Sequence, residues 1–138
     1  MSGYVLLVED NDDIREMMAL ALQLAGARVM CAANGREALA VLKGRPVPNL
    51  ILLDLMMPVM NGWELSAALQ RDETLAKVPI IVISAMGEAG AAGLHPAEFM
   101  SKPVDIDHLV SVLRVSIQRA DAMKLASDTV VSLMPQAS

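Results

Sequence analysis

An unbroken apolar run, Leu50-Ile51-Leu52-Leu53, ends on a carboxylate, Asp54, and this junction constrains the chain more than any other stretch. A short apolar run bounded by turn formers reads as a strand buried on both faces, the pattern of a parallel sheet. Pro58 and Asn61-Gly62 then turn the chain. Asp54 therefore falls at the carboxyl end of a central strand. An isolated charge there is costly unless a cation or a reaction uses it.

Similar short runs recur at Tyr4–Val8, Arg28–Cys31, Val78–Ile83 and Glu98–Ser101, and helical patterns lie between them. The first helix opens at Asn11 or Asp12, where acids meet free N–H groups. Ile14, Met17 or Met18, Ala21, and Leu24 or Ala25 keep its spacing, and Gly26 stops it. Asn34 with Glu37 forms a capping-box-like start for a helix through Ala38, Leu39 and Leu42, ended by Gly44. A third helix spans Trp63–Arg71, with Leu65 and Leu69 inward. Met86–His95 carries glycines at 87, 90 and 93. Each costs a helix roughly 1 kcal/mol against Ala, so any helix there should be short or mobile. A Lys102-Pro103 bond can be cis. The last helix opens at Asp105 or Asp107, with a stripe of Ile106, Val110, Leu113 and Ile117, and with Arg114 and Arg119 toward its end.

Strand and helix alternate five times. This predicts an α/β, doubly wound (βα)5 flavodoxin-like fold: a central five-stranded parallel sheet, order 2-1-3-4-5, with helices on both faces. Residues 1–121 make up the domain, and 122–138 a C-terminal tail that either extends the last helix or is a linker.

Composition narrows the function. A net charge of −5 argues against direct nucleic-acid binding, which needs clustered Lys and Arg. One cysteine, Cys31, forms no internal disulfide and reads as a small buried hydrophobe, which suits a reducing cytoplasm. The N-terminal apolar run is short and ends in acids, unlike a signal peptide. No stretch reaches the roughly 20 apolar residues of a membrane span. With aromatics at only 2%, the eleven methionines serve as core filler. His95 and His108 are expected on the surface, and Trp63 half-exposed.

In this topology the strand ends bring Glu9, Asp10, Asp54, Ser84 and Lys102 to one edge. Three carboxylates in one crevice raise each other's pKa, and a divalent cation resolves the repulsion. Mg²⁺, hard and satisfied by one or two carboxylates plus water and phosphate oxygens, is the best candidate. A carboxylate nucleophile, a metal, an ammonium and a hydroxyl are the parts that phosphoryl transfer to an aspartate requires.

Here the chain resembles the receiver (response-regulator) domains of two-component signalling, in the style of single-domain chemotaxis regulators. The resemblance covers Tyr4 to about Arg119. It rests on Glu9-Asp10, on LLDLMMPVMNG around Asp54, on Ile83-Ser84-Ala85, and on Phe99 with Lys102-Pro103. It implies that Asp54 accepts a phosphoryl group from a sensor histidine kinase or a histidine phosphotransfer protein, assisted by Lys102 and Ser84. It implies Mg²⁺ on Asp10, Asp54 and the backbone carbonyl of Met56, with Glu9 acting through water. It also implies a switch in which Ser84 moves toward the phosphoryl group and Phe99 turns inward. A turnover enzyme on an external substrate is not expected.

Each residue also has a plainer reading: Asp54 as a structural carboxylate, Glu9-Asp10 as a helix cap, Lys102 as a surface lysine, Ser84 as a turn residue, Phe99 as a core ring. Their occurrence together, in order, favours the functional one. A phosphatase of the haloacid dehalogenase kind would want an acid where Met56 stands. A flavin module would not place acids in its first loop. A degenerate, phosphate-independent receiver is the remaining alternative. Met56 and Met86, two residues past Asp54 and Ser84, lack groups that orient water, which predicts slow dephosphorylation. Output to a downstream protein target is expected, either from a stand-alone regulator or phosphorelay shuttle or from a receiver domain cut from a larger protein such as a hybrid kinase. The tail leaves a homodimer and a linker as options.

Overall fold

In the computed structural model, which describes residues 3–133 and the side chains of residues 3–119, five strands form one parallel sheet. They are β1 (Val5–Val8), β2 (Val29–Ala32), β3 (Leu50–Asp54), β4 (Ile80–Ser84) and β5 (Glu98–Ser101). Their order is β2-β1-β3-β4-β5, as the alternation of elements implies. The helices are α1 (Asp12–Leu24), α2 (Gly35–Leu42), α3 (Gly62–Gln70) and α4 (Ile106–Leu133). Of the expected tail, residues 134–138 lie outside the described residues.

The period-2 alternation of the strands explains the layers. Leu6, Val8, Ile51 and Leu53 point to one face, where Ala38 and Leu42 of α2 and Leu65 and Leu69 of α3 cover them. Val5, Leu7, Leu50 and Leu52 point to the other, against Met18 and Leu22 of α1 and Leu109 and Leu113 of α4. β1 and β3 are buried along their whole length because both faces are covered.

Three helices start on asparagine for one reason. Asn11, Asn34 and Asn61 have extended backbones, and each side chain accepts the backbone N–H three residues on, at 2.9 Å. At α3, Glu64 reaches back to accept from the Asn61 N–H at 3.1 Å, completing a capping box. Asp105 caps α4 through the His108 N–H at 3.2 Å.

Several side chains lie elsewhere than the sequence pattern suggests. On α1 the buried residue after Met18 is Leu22, one turn on, while Leu24 is 80% exposed. On α4 Leu109 takes the central place expected of Val110, because the helix starts at Ile106 and the face runs through Leu109 and Leu113. Arg114 and Arg119 sit inside α4 and do not meet its dipole end, because the helix continues to Leu133. Cys31 is exposed, because β2 is an edge strand with only partial cover. The connection from β4 to β5 holds a single 3-10 turn, Glu88–Ala91, in place of an α-helix. Gly87 and Gly93 take positive φ of 76° and 84° on either side of it, a conformation that ends helices. His95 and His108 are exposed and Trp63 is half-buried, as expected.

Candidate functional site

Strand register brings the charged residues together. Val8 pairs with Leu53, so Glu9 follows β1 beside Asp54 at the end of β3. Asp54 pairs with Ile83, and Ser84 pairs with Ser101, so Lys102 follows β5 one position beyond. The Lys102-Pro103 bond is cis. Gly62 packs where a Cβ would come within 2.6 Å of the Asp54 carbonyl, letting the start of α3 close against the end of β3.

Asp54 is only 4% exposed. Its Oδ1 accepts the Met56 N–H at 3.2 Å. Its Oδ2 is buried with no hydrogen-bond donor aligned to it, although the Lys102 ammonium stands 3.3 Å away. Lys102 Nζ also lies 2.8 Å from Glu9 Oε1. Glu9 is buried, and its Oε2 accepts the Asp10 N–H at 3.0 Å. Glu9, Asp10 and Asp54 each offer a carboxylate oxygen, and these oxygens lie within 4.8 Å of one another.

The electrostatics follow from this crowding. Burial, and then the neighbouring Glu9 carboxyl, push the Asp54 carboxyl up to about 7 against the pull of Lys102 and the Met56 amide. Burial pulls the Lys102 ammonium down, but Glu9 and Asp54 together outweigh it and raise its pKa. A buried carboxylate oxygen without a donor, beside two more carboxylates, is a donor set of hard oxygens. It fits a divalent cation of the Mg²⁺ type.

Glu9, Asp10, Asp54 and Lys102 thus converge, as expected. Ser84 is fully buried at the neighbouring strand end, and its Oγ accepts the Met86 N–H at 3.0 Å. Phe99 stands apart from the charges. It is half-buried against a cluster of Leu55, Val82 and Ala91, with Trp63 and Leu94 beside it.

Four contacts were not read from the sequence. Glu9 pairs directly with Lys102 at 2.8 Å. Arg15 donates to the Glu9 carbonyl at 2.9 Å and pairs with Asp12 at 2.6 Å, bracing the acidic loop from α1. Trp63 Nε1 donates to the Gly90 carbonyl at 2.9 Å, tying α3 to the 3-10 turn. Trp63 and Gly90 lie 27 residues apart, so the only signal in the sequence was the general one that a half-buried indole N–H needs an acceptor. Among the described residues no helix is long and apolar enough to cross a membrane.

Residues 5–114 match the response regulator receiver domain family. The chain is 40% identical over 119 residues to the phosphate regulon transcriptional regulatory protein PhoB of Pseudomonas aeruginosa, covering 83% of this chain and 52% of that protein. It spans about half the length of the first curated relatives it matches. Among solved structures, the chemotaxis protein CheY4 of Vibrio cholerae superposes with a TM-score of 0.74 at 30% identity, covering 84% of this chain and 99% of that one. The receiver domain of a histidine kinase from Syntrophus aciditrophicus superposes with a TM-score of 0.77 at 26% identity, covering 85% and 91%.

Proposed function

The chain belongs to the response regulator receiver domain family, and from that premise we propose that Asp54 takes a phosphoryl group from the phosphohistidine of a sensor histidine kinase or histidine phosphotransfer protein. An Asp54 oxygen forms the new bond to phosphorus as the phosphorus–nitrogen bond breaks, and the imidazole leaves. The observation that carries this reading is the Asp54 Oδ2 atom, buried without a hydrogen-bond donor and facing the Lys102 ammonium at 3.3 Å. Asp10, Asp54 and the backbone carbonyl of Met56 would hold Mg²⁺, with Glu9 acting through water. Bound there, the ion supplies positive charge that screens the incoming phosphoryl oxygens from the carboxylates.

Lys102 neutralises a phosphoryl oxygen as the group arrives. Ser84 Oγ already accepts from Met86, which leaves its O–H to donate to the phosphoryl group. The new group adds about −1.5 to −2 charge. Ser84 moves toward it, and Phe99 follows into the space behind. The conformational signal leaves through contacts with a downstream protein target. The net charge of −5 disfavours direct contact with nucleic acid by this chain. A single free cysteine suits a cytoplasmic setting. α4 continues to Leu133, which leaves a homodimer open; an unchanged sedimentation mass with and without beryllofluoride would remove it.

Met56 and Met86 carry no group able to orient an attacking water, so the acyl phosphate decays slowly. A lifetime of seconds or less would overturn that part. Incubation with Mg²⁺ and acetyl phosphate, followed by intact mass, tests the core of the proposal. Wild-type protein should gain one phosphoryl group and Asp54→Asn none; equal gain in both would refute the assignment.

A further inference from the structure

We propose that Met56 and Met86 are paired oxidation sites at the mouth of the acidic cluster, where a hydroperoxide converts their thioethers to sulfoxides and shortens the life of the aspartyl phosphate. The inference rests on the reading of Asp54 as the phosphorylated residue.

The two methionines hold matching positions. The Met56 amide donates to Asp54 Oδ1 at 3.2 Å, and the Met86 amide donates to Ser84 Oγ at 3.0 Å. Each side chain therefore leaves the backbone at a residue whose own N–H touches a site group. Both face solvent, Met56 at 57% and Met86 at 50% exposure. Met18, Met57 and Met100 are buried, as core methionines usually are. Core packing accounts for those three; of the exposed pair, Met86 rests its Cβ and Sδ over Gly90 of the 3-10 turn, while half of its surface still meets solvent.

A thioether needs no deprotonation to react. Its sulfur lone pair attacks one peroxide oxygen, the S–O bond forms as the O–O bond breaks, and the departing oxygen takes up a proton to leave as water or alcohol. Sulfur loses two electrons, and the peroxide gains them. The product is a polar, chiral side chain that methionine sulfoxide reductases restore.

The consequence follows from hydrogen bonding. A thioether is a weak acceptor and leaves nearby water unoriented. A sulfoxide oxygen is a strong acceptor and can hold water beside the phosphorylated carboxylate. Oxidation thereby supplies the feature whose absence keeps the acyl phosphate long-lived.

The test uses full-length protein carrying Cys31→Ser, so that no thiol competes. It is treated with hydrogen peroxide, cleared with catalase, mapped by peptide mass, and phosphorylated with acetyl phosphate and Mg²⁺. Met56 and Met86, together with the exposed Met17, should gain oxygen before Met18, Met57 and Met100. Phosphate decay should quicken about tenfold, equivalent to about 1.4 kcal/mol of barrier. Decay in Met56→Leu/Met86→Leu should be the same with and without peroxide, whereas Met17→Leu should respond like its parent. Reductase treatment should restore slow decay. Unchanged decay with both residues oxidised, or an acceleration that survives the double variant, would overturn the inference and leave the proposed function standing. Untreated protein that takes up no phosphate would overturn both.

Discussion

The Lys102 ammonium lies 2.8 Å from Glu9 and 3.3 Å from Asp54, so the short ion pair of the site is made to the residue next to β1 and not to the carboxylate of β3. Lys102 thus serves as a built-in counter-cation for two buried acids. It occupies the same electrostatic niche that a divalent ion would use. With the shorter contact made to Glu9, Asp54 Oδ2 is left without an aligned donor.

One consequence runs against the intuition that removing a site residue weakens every property of the site. Lys102→Gln removes a cation that competes for Glu9 and Asp54. Mg²⁺ should bind about tenfold more tightly to this variant, a gain of about 1.4 kcal/mol. Phosphoryl uptake from acetyl phosphate should nonetheless slow, because the incoming oxygens lose their ammonium partner. Calorimetric titration with Mg²⁺ checks the first part, and weaker binding would contradict it.

The raised Asp54 pKa gives a pH dependence of defined sign. Without metal, Asp54 is pushed from 3.8 up to about 7 in the folded protein. Between those values the folded chain holds a proton that the unfolded chain has released, so stability falls as pH rises through this window. Asp54→Asn removes the loss. It should be more stable than wild type near pH 8, by roughly 1–4 kcal/mol, with the difference closing toward about pH 4. Urea melts in a chelating buffer provide the measurement. Equal stability near the upper pH would mean that the carboxyl is not strained by burial.

What the sequence disclosed and what it hid have separate physical causes. Glu9, Asp54, Ser84 and Lys102 each follow or end a short apolar strand, and parallel strands end on one edge, so topology alone brought them together. The asparagine caps were legible because the capping bond is local. The direct Lys102–Glu9 pair was not, because β1 and β5 are distant in sequence and side-chain reach decides the contact. Cys31 was misplaced because it was read from its residue type alone, although the order 2-1-3-4-5 expected from the alternation of elements already put β2 at the sheet's edge, where cover is partial. The missing helix between β4 and β5 was half visible: three glycines signalled weakness, but not that a 3-10 turn would suffice.

The inner face of α1 offers a paired test of which side of that helix meets the sheet. Leu22 is fully buried against the sheet, and Leu24, two residues on, is exposed. Leu22→Ala should cost about 2–5 kcal/mol, the range for a buried leucine that leaves a cavity. Leu24→Ala should change stability by no more than about 0.5 kcal/mol, as surface substitutions do. Chemical denaturation of the two variants measures both. A comparable loss at Leu24 would show that α1 is rotated relative to the fold described above.

Two glycines predict opposite tolerance to one added methyl group, and the difference tests how tightly β3 and α3 enclose the site. A Cβ at Gly62 would lie 2.6 Å from the Asp54 carbonyl oxygen and 2.7 Å from the Leu55 Cα, both backbone atoms that move only if the strand or the helix moves. A Cβ at Gly35 would meet Met60 Cγ at 2.6 Å and Sδ at 2.8 Å, atoms of a flexible side chain that has other rotamers. Gly62→Ala should therefore destabilise the protein by about 1–3 kcal/mol or more, the range for overpacking. It should also slow phosphoryl uptake at Asp54, because the displaced carbonyl belongs to that residue. Gly35→Ala should be close to neutral, since an alanine in the first turn of α2 regains helix propensity while Met60 shifts aside. Melting both variants and timing their phosphorylation with acetyl phosphate separates the effects. Normal uptake in a destabilised Gly62→Ala protein would show that the end of β3 yields without disturbing Asp54.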